Sequence, residues 1–191
     1  MLQCKIAEYQ QQIILLDGST ARLRLIKPED KEAIRSFYNR LSPETRFLRY
    51  QYAKGDLTED DLRNFCEVDY WNTLALVAEK EVAGCSQIVA VGRYCRLPDE
   101  RSAEVAFVVQ DDEQGKGIGT QLLKHLAILA WENNIYYFVG EVLRMNGRML
   151  SIFRKSDPGM NYRIDDHTTC TICLSVPEAM WRTPSAPAIK N

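Results

Sequence analysis

The sequence predicts a mixed α/β domain with a central, mostly antiparallel mixed sheet flanked by helices. Three observations carry this expectation. Strand signals open the chain and give way to helical ones; from Leu74 three segments with strand periodicity follow in a row; and a long amphipathic helix then joins two apolar strands.

Ile13–Leu16 and Ala21–Ile26 flank Asp17-Gly18, a hairpin turn signal. Lys27-Pro28-Glu29-Asp30 opens a helix, with proline in its first turn and acids at its positive end. Ile34, Phe37 and Leu41 form its apolar stripe. Ser42-Pro43-Glu44 starts a second helix, and Thr58 with Asp61 forms a capping box for a third, which turns Leu62, Phe65 and Cys66 inward. Leu74–Ala78, Gln87–Tyr94 and Ala103–Val109 read as a meander with turns at Lys80–Gly84 and Leu97–Glu100. A helix is expected over Gly115–Asn133, burying Ile118, Leu122, Leu123, Leu126, Ala127 and Ala130. Strand Tyr136–Leu143, helix Asn146–Lys155 and a closing hairpin of Tyr162–Ile164 with Thr168–Val176 complete the order β-β-α-α-α-β-β-β-α-β-α-β-β. The expected division is an extension over 1–13, one domain over 14–176 and a tail over 177–191.

With 191 residues the chain suits a single domain with a core of its own. Net charge −2 gives no reason to expect nucleic acid as a partner. The longest apolar run, Leu122–Trp131, is broken by Lys124 and His125, so no membrane span is expected. Without a signal-peptide pattern at the start, a cytoplasmic protein with free thiols is expected. Cys170-Thr-Ile-Cys173 has CxxC spacing, but a strand there turns the two thiols to opposite faces, so no metal site is expected. The basic clusters Arg22, Arg24, Lys27 and Arg144, Arg148, Arg154, Lys155 read as solvated surface, and His125 as a residue on the helix surface.

The chemistry concentrates between Ala103 and Thr120. A strand runs into Gln114-Gly115-Lys116-Gly117-Ile118-Gly119 and directly into a helix. Glycines admit close approach of an anion, and unpaired N–H groups of a first helical turn point at it, which suits a pyrophosphate. The G-x-G-x-G spacing fits neither a dinucleotide fingerprint nor a Walker loop.

Gln114-Gly115-Lys116-Gly117-Ile118-Gly119 resembles the Q/R-x-x-G-x-G/A motif of GNAT acetyltransferases. Ala103-Glu104-Val105-Ala106 before it, and Gly140-Glu141-Val142-Leu143 and Asn146-x-x-Met149-Leu150 after it, are similar to the same fold. Leu41-Ser42-Pro43-Glu44-Thr45-Arg46-Phe47 and Val68-Asp69-Tyr70 resemble, more narrowly, the catalytic domain of bacterial Pat-type protein lysine acetyltransferases. The resemblance implies the GNAT acyl-CoA N-acyltransferase fold and acetyl transfer from acetyl-CoA to an amine, with coenzyme A as product. It implies Glu104 as general base, in an apolar wall that raises its pKa. Backbone groups of Phe107, Val108 and Val109 are implied to hold the pantetheine arm. Gln114, Gly115, Lys116, Gly117, Ile118, Gly119 and Thr120 are implied to hold the pyrophosphate, with Lys116 adding positive charge. Asn146 is implied as a pantetheine partner, beside its role as helix N-cap. The position matching the family's general-acid tyrosine is Phe153, which has no proton to give, and Ser156–Met160 departs from the family's shorter turn. The acceptor is expected to be a protein lysine; acids such as Glu59, Asp60, Asp61 and Asp69 are either a recruiting surface for a basic patch or, as charge runs usually are, a solvated face. A small-molecule or N-terminal amine, or a non-catalytic acyl-CoA sensor, are the alternatives.

Overall fold

The computed structural model describes residues 8–157 and 160–176; Cys4, the tail 177–191 and part of the Ser156–Met160 turn lie outside them. The strands are β1 (Gln10–Ile14), β2 (Thr20–Leu25), β3 (Thr73–Val82), β4 (Cys85–Arg96), β5 (Ser102–Val109), β6 (Tyr137–Leu143), β7 (Asn161–Ile164) and β8 (Thr169–Ser175). The helices are α1 (Lys31–Arg40), α2 (Pro43–Tyr50), α3 (Glu59–Cys66), α4 (Ile118–Glu132) and α5 (Gly147–Ser156). One sheet runs in the order β1-β2-β3-β4-β5-β6-β8-β7. Its β5–β6 pair is parallel and the other pairs are antiparallel, as a crossover through α4 requires. No helix among the described residues is long and apolar enough to cross a membrane.

Strand alternation builds two apolar layers. Leu74, Leu76 and Ala78 of β3 join Val105, Phe107 and the α4 residues Leu122, Leu123 and Leu126 on one face. Ala75 and Val77 join Ile34, Phe37, Leu41, Leu62 and Cys66 on the other. The middle of the sheet is thus covered on both sides, which explains the unbroken apolar run of β3. Caps define the helices much as expected: Ser42 Oγ accepts from Thr45 N at 3.1 Å, and Thr58 and Asp61 form the reciprocal box.

Some expectations shift. β1 covers Gln10–Ile14, not Ile13–Leu16, because Ile14 pairs with Thr20 and Leu15 to Ser19 form the turn. As an edge strand it tolerates the exposed glutamines, which hid it. Arg22 and Arg24 are not simply solvated. Arg24 donates to Asp30 and to Glu79, with Nη2 2.5 Å from Glu79 Oε1, in a largely buried network that also takes Arg22. The acids proposed for recruitment are engaged locally: Glu59 with Arg35, Asp60 with Arg63, Asp61 with Lys54 and the α3 cap, and Asp69 with the backbone N–H groups of Trp71, Asn72 and Thr73. Cys170 is buried and Cys173 half-buried, on opposite strand faces as expected.

His125 is half-buried beneath Tyr9, whose hydroxyl lies 2.5 Å from Nδ1. Burial, with a smaller push from Lys124, lowers its pKa from 6.5 to about 4. The unfolded chain therefore binds the proton first as pH falls. Stability carried by the neutral ring is complete above pH 6.5 and is lost between 6.5 and about 4. We predict a loss on the order of 1–2 kcal/mol across that window, allowing for the ring's partial exposure. It is read as melting temperature against pH, and it should flatten in His125→Gln, which keeps an acceptor for Tyr9.

Candidate active site

The site begins where β5 and β6 part. Their register covers Ser102 to Glu104 against Tyr137 to Val139 and stops there, although β5 continues to Val109 and β6 to Leu143. β5 remains paired with β4 through Val109, so its other edge is open past Glu104. Gln110 N donates to Val89 O, which fixes the parity: the backbone groups of Ala106 and Val108 face β4, Val105 N–H is turned to Val139 in the last pair of the parallel register, and the N–H groups of Phe107 and Val109 face the opening. Val108 thus spends its backbone on the sheet. The Val109 carbonyl accepts from Gln114 Nε2 at 3.0 Å.

Between the parted strands lies a cleft of about 200 Å³, lined among others by Leu48, Arg49, Tyr50, Glu104, Phe107, Asn146 and Phe153. Glu104 is exposed at this cleft and is not set in an apolar wall: strand alternation turns Val105 and Phe107 to the α4 face and Glu104 to the other. Phe153 is buried, with its ring centroid 6.0 Å from that of Phe107.

The glycine loop follows the open end of β5, between Val109 and the start of α4. Gly115 and Gly117 have φ of +80° and +90°, which L side chains rarely adopt. α4 starts at Ile118, not at Gly115, because the glycines turn the chain before the helix begins. Its first internal bond runs from Gln121 N to Gly117 O, which leaves the N–H groups of Ile118, Gly119 and Thr120 without helical partners. These three amides at the positive end of a helix suit phosphate oxygens. At Gly119 a Cβ would lie 2.8 Å from Ile152 Cδ1, so that glycine also lets α5 pack close.

Side chains in the loop act differently from expectation. Lys116 is held by Glu113 at 3.2 Å and Asp17 at 3.7 Å, and Glu113 is the main cause of its raised pKa. Gln114 is tied by its amide to Val109 O and to Thr45 Oγ1 at 3.1 Å, and Arg148 donates to its carbonyl. Arg148 is exposed beside the loop, with no carboxylate partner among the described residues, and so is more than the solvated surface expected of its basic cluster. Two further contacts pin the loop from outside: Leu16 N donates to Lys116 O at 3.0 Å, and Asp111 accepts from Ser42 and Thr45 of the α2 start.

Asn146 caps α5, its Oδ1 accepting from Met149 N at 3.1 Å, and it also lines the cleft. Asn146→Ala is expected to destabilise the fold by ~1 kcal/mol, measured by denaturant midpoint. Arg49 and Tyr50, missed in the sequence, enter the cleft because α2 ends beside it with Gln51 in a left-handed turn, φ 64°.

A model of the Acetyltransferase (GNAT) family matches residues 33–155. The chain is 33% identical over 117 residues to an acetyltransferase of Pseudomonas aeruginosa, covering 61% of this chain and 63% of that one. It is 33% identical over 136 residues to Acetyltransferase Pat of Mycolicibacterium smegmatis, covering 71% of this chain and 40% of Pat. The chain thus spans less than two thirds of the length of either relative. The GNAT domain of S. lividans PAT superposes with a TM-score of 0.79 at 30% identity, covering 88% of this chain and 98% of that domain. Taken with the fold, these matches place the chain in the GNAT family of acetyltransferases.

Proposed function

We propose that this protein transfers an acetyl group from acetyl-CoA to the side-chain amine of a protein lysine, with Glu104 as general base. The observation that carries the reading is the open β5 edge: it lies between the left-handed glycine loop and an exposed carboxylate. An extended pantetheine arm adds to that edge as a strand would, with the Phe107 and Val109 N–H groups as donors. Ile118, Gly119 and Thr120 amides receive the pyrophosphate, and Arg148, not the ion-paired Lys116, supplies the nearby positive charge.

The proton balance gives Glu104 its task. A lysine amine has a pKa of ~10.4, so about one in two thousand is neutral at pH 7. Glu104 takes the ammonium proton, directly or through water; the amine nitrogen bonds to the thioester carbonyl carbon; the C–S bond breaks, and the nitrogen's second proton passes through water to the departing thiolate or to solvent. The open-edge N–H groups polarise the carbonyl oxygen as negative charge grows on it. Phe153 offers the thiolate no proton, and a thiol pKa of ~8.5 lets it depart with help from water alone. The similarity to Pat-type lysine acetyltransferases supports a protein acceptor.

The test is intact-mass analysis of lysine-bearing proteins, lysine peptides and peptides with only an α-amine, each incubated with acetyl-CoA. Acetylation of lysine side chains is expected; acetylation confined to α-amines or small amines would overturn the acceptor, and none on any amine would overturn the enzyme.

A further inference from the structure

Among the described residues, two arginines on the Glu104 face of the sheet, Arg49 and Arg93, make no ion pair. Arg93 stands opposite Ala106 and Cys95 opposite Glu104 in the β4–β5 register, so all four side chains share one face. α2 lays Arg49 over that face. It lines both the cleft with Glu104 and an adjoining cavity of about 40 Å³ bounded by Arg93, Ala106, Val108, Phe37 and Phe65.

Five other guanidinium groups form ion pairs: Arg22 and Arg24 with Glu79, Arg35 with Glu59, Arg63 with Asp60, and Arg163 with Asp165. Among the described residues, the Arg49 and Arg93 side chains make neither an ion pair nor a hydrogen bond. Arg93 Nε is shut off from solvent without an acceptor. Their neighbours are rings: Arg93 lies 5.7 Å from the Phe65 centroid and Arg49 5.1 Å from that of Tyr50. Burial is the main cause of the lowered Arg49 pKa; Arg93 repels the same cation, while Tyr50 and Glu104 attract it. Two cations held in an apolar wall with no carboxylate in contact among the described residues are costly, and an anion between them offsets that cost.

We propose that Arg49 and Arg93 form a carboxylate-binding subsite on the acceptor side of the cleft, selecting lysines that have an aspartate or glutamate beside the reacting amine. The proposal rests on the acetyl-transfer reading above. Its side of the sheet assigns it to the acceptor: the arginines share the Glu104 face, whereas Phe107 and Phe153 pack in the opposite layer.

The experiment compares blocked tetrapeptides in which lysine is flanked by Glu or by its neutral isostere Gln, using thiol release for wild type, Arg93→Met and Arg49→Met. Thermal melts verify folding, and either variant alone carries the test. The Glu peptide is expected to have kcat/KM about tenfold above the Gln peptide, through KM, as a charge-assisted pair gives. Each variant should erase the difference while the acetyl-CoA KM stays unchanged. Calorimetry of the same peptides with Glu104→Gln protein reads the preference without turnover. Equal values for the two peptides in wild type, or a preference that survives both substitutions, would overturn the subsite. So would a preference for succinyl-CoA over acetyl-CoA on the Gln peptide, which would put the carboxylate on the donor. Preferential binding without release from any peptide keeps the subsite and removes the acetyl-transfer reading.

Discussion

Glu104→Gln is expected to lower turnover on a lysine acceptor by about 10²–10³ while coenzyme A affinity stays unchanged. The amide keeps the side chain's size and cannot take a proton, so the loss isolates proton removal. Affinity is expected to hold because the groups assigned to coenzyme A are backbone amides of β5 and of the α4 start, with Arg148, and the Glu104 side chain is not among them. The loss should shrink as pH rises towards the acceptor's own pKa, where the neutral amine is supplied by solvent. Thiol release against pH, with calorimetry of coenzyme A alongside, measures both. An unchanged rate in the variant would remove Glu104 as base, and a parallel loss of binding would make it a structural residue.

Gly117→Val is the second large effect. At φ +90° a β-branched residue is strained by about 1–3 kcal/mol, and its Cβ would meet Leu16 Cγ at 3.3 Å. The loop must move, and with it the amides of Ile118, Gly119 and Thr120. We predict coenzyme A affinity reduced about ten- to a hundredfold, measured by calorimetry. Gly55→Ala is the control: its added methyl meets nothing within 4 Å and its φ is ordinary. An equal loss in both variants would mean that affinity follows general stability and not the loop.

Much of this architecture was legible in the residues because caps and periodicity are local. Ser42, Thr58 and Asn146 mark helix starts, and the strand order follows from runs such as Leu74–Ala78. The glycine loop was legible for the same reason, since left-handed backbone selects glycine. What failed to show depends on contacts distant in sequence. The parting of β5 from β6 leaves no trace, because both strands keep their alternation past Glu104 and Val139. Lys116 reads as a phosphate ligand until Glu113 and Asp17 are seen to hold it. Arg49 in Arg46-Phe47-Leu48-Arg49-Tyr50 looks like a surface residue of a short helix, and only the tertiary packing of α2 brings it to the cleft. β1 was misplaced because an edge strand need not be apolar.

The central claim is that the open edge of β5 receives the donor as an added strand, and residue-resolved amide hydrogen exchange tests it most directly. On saturation with coenzyme A, the amides of Phe107 and Val109 should exchange much more slowly, while those of Ala106 and Val108, already turned to β4, and of Val105, turned to Val139, change little. Saturable binding that leaves the Phe107 and Val109 amides unprotected would contradict the account.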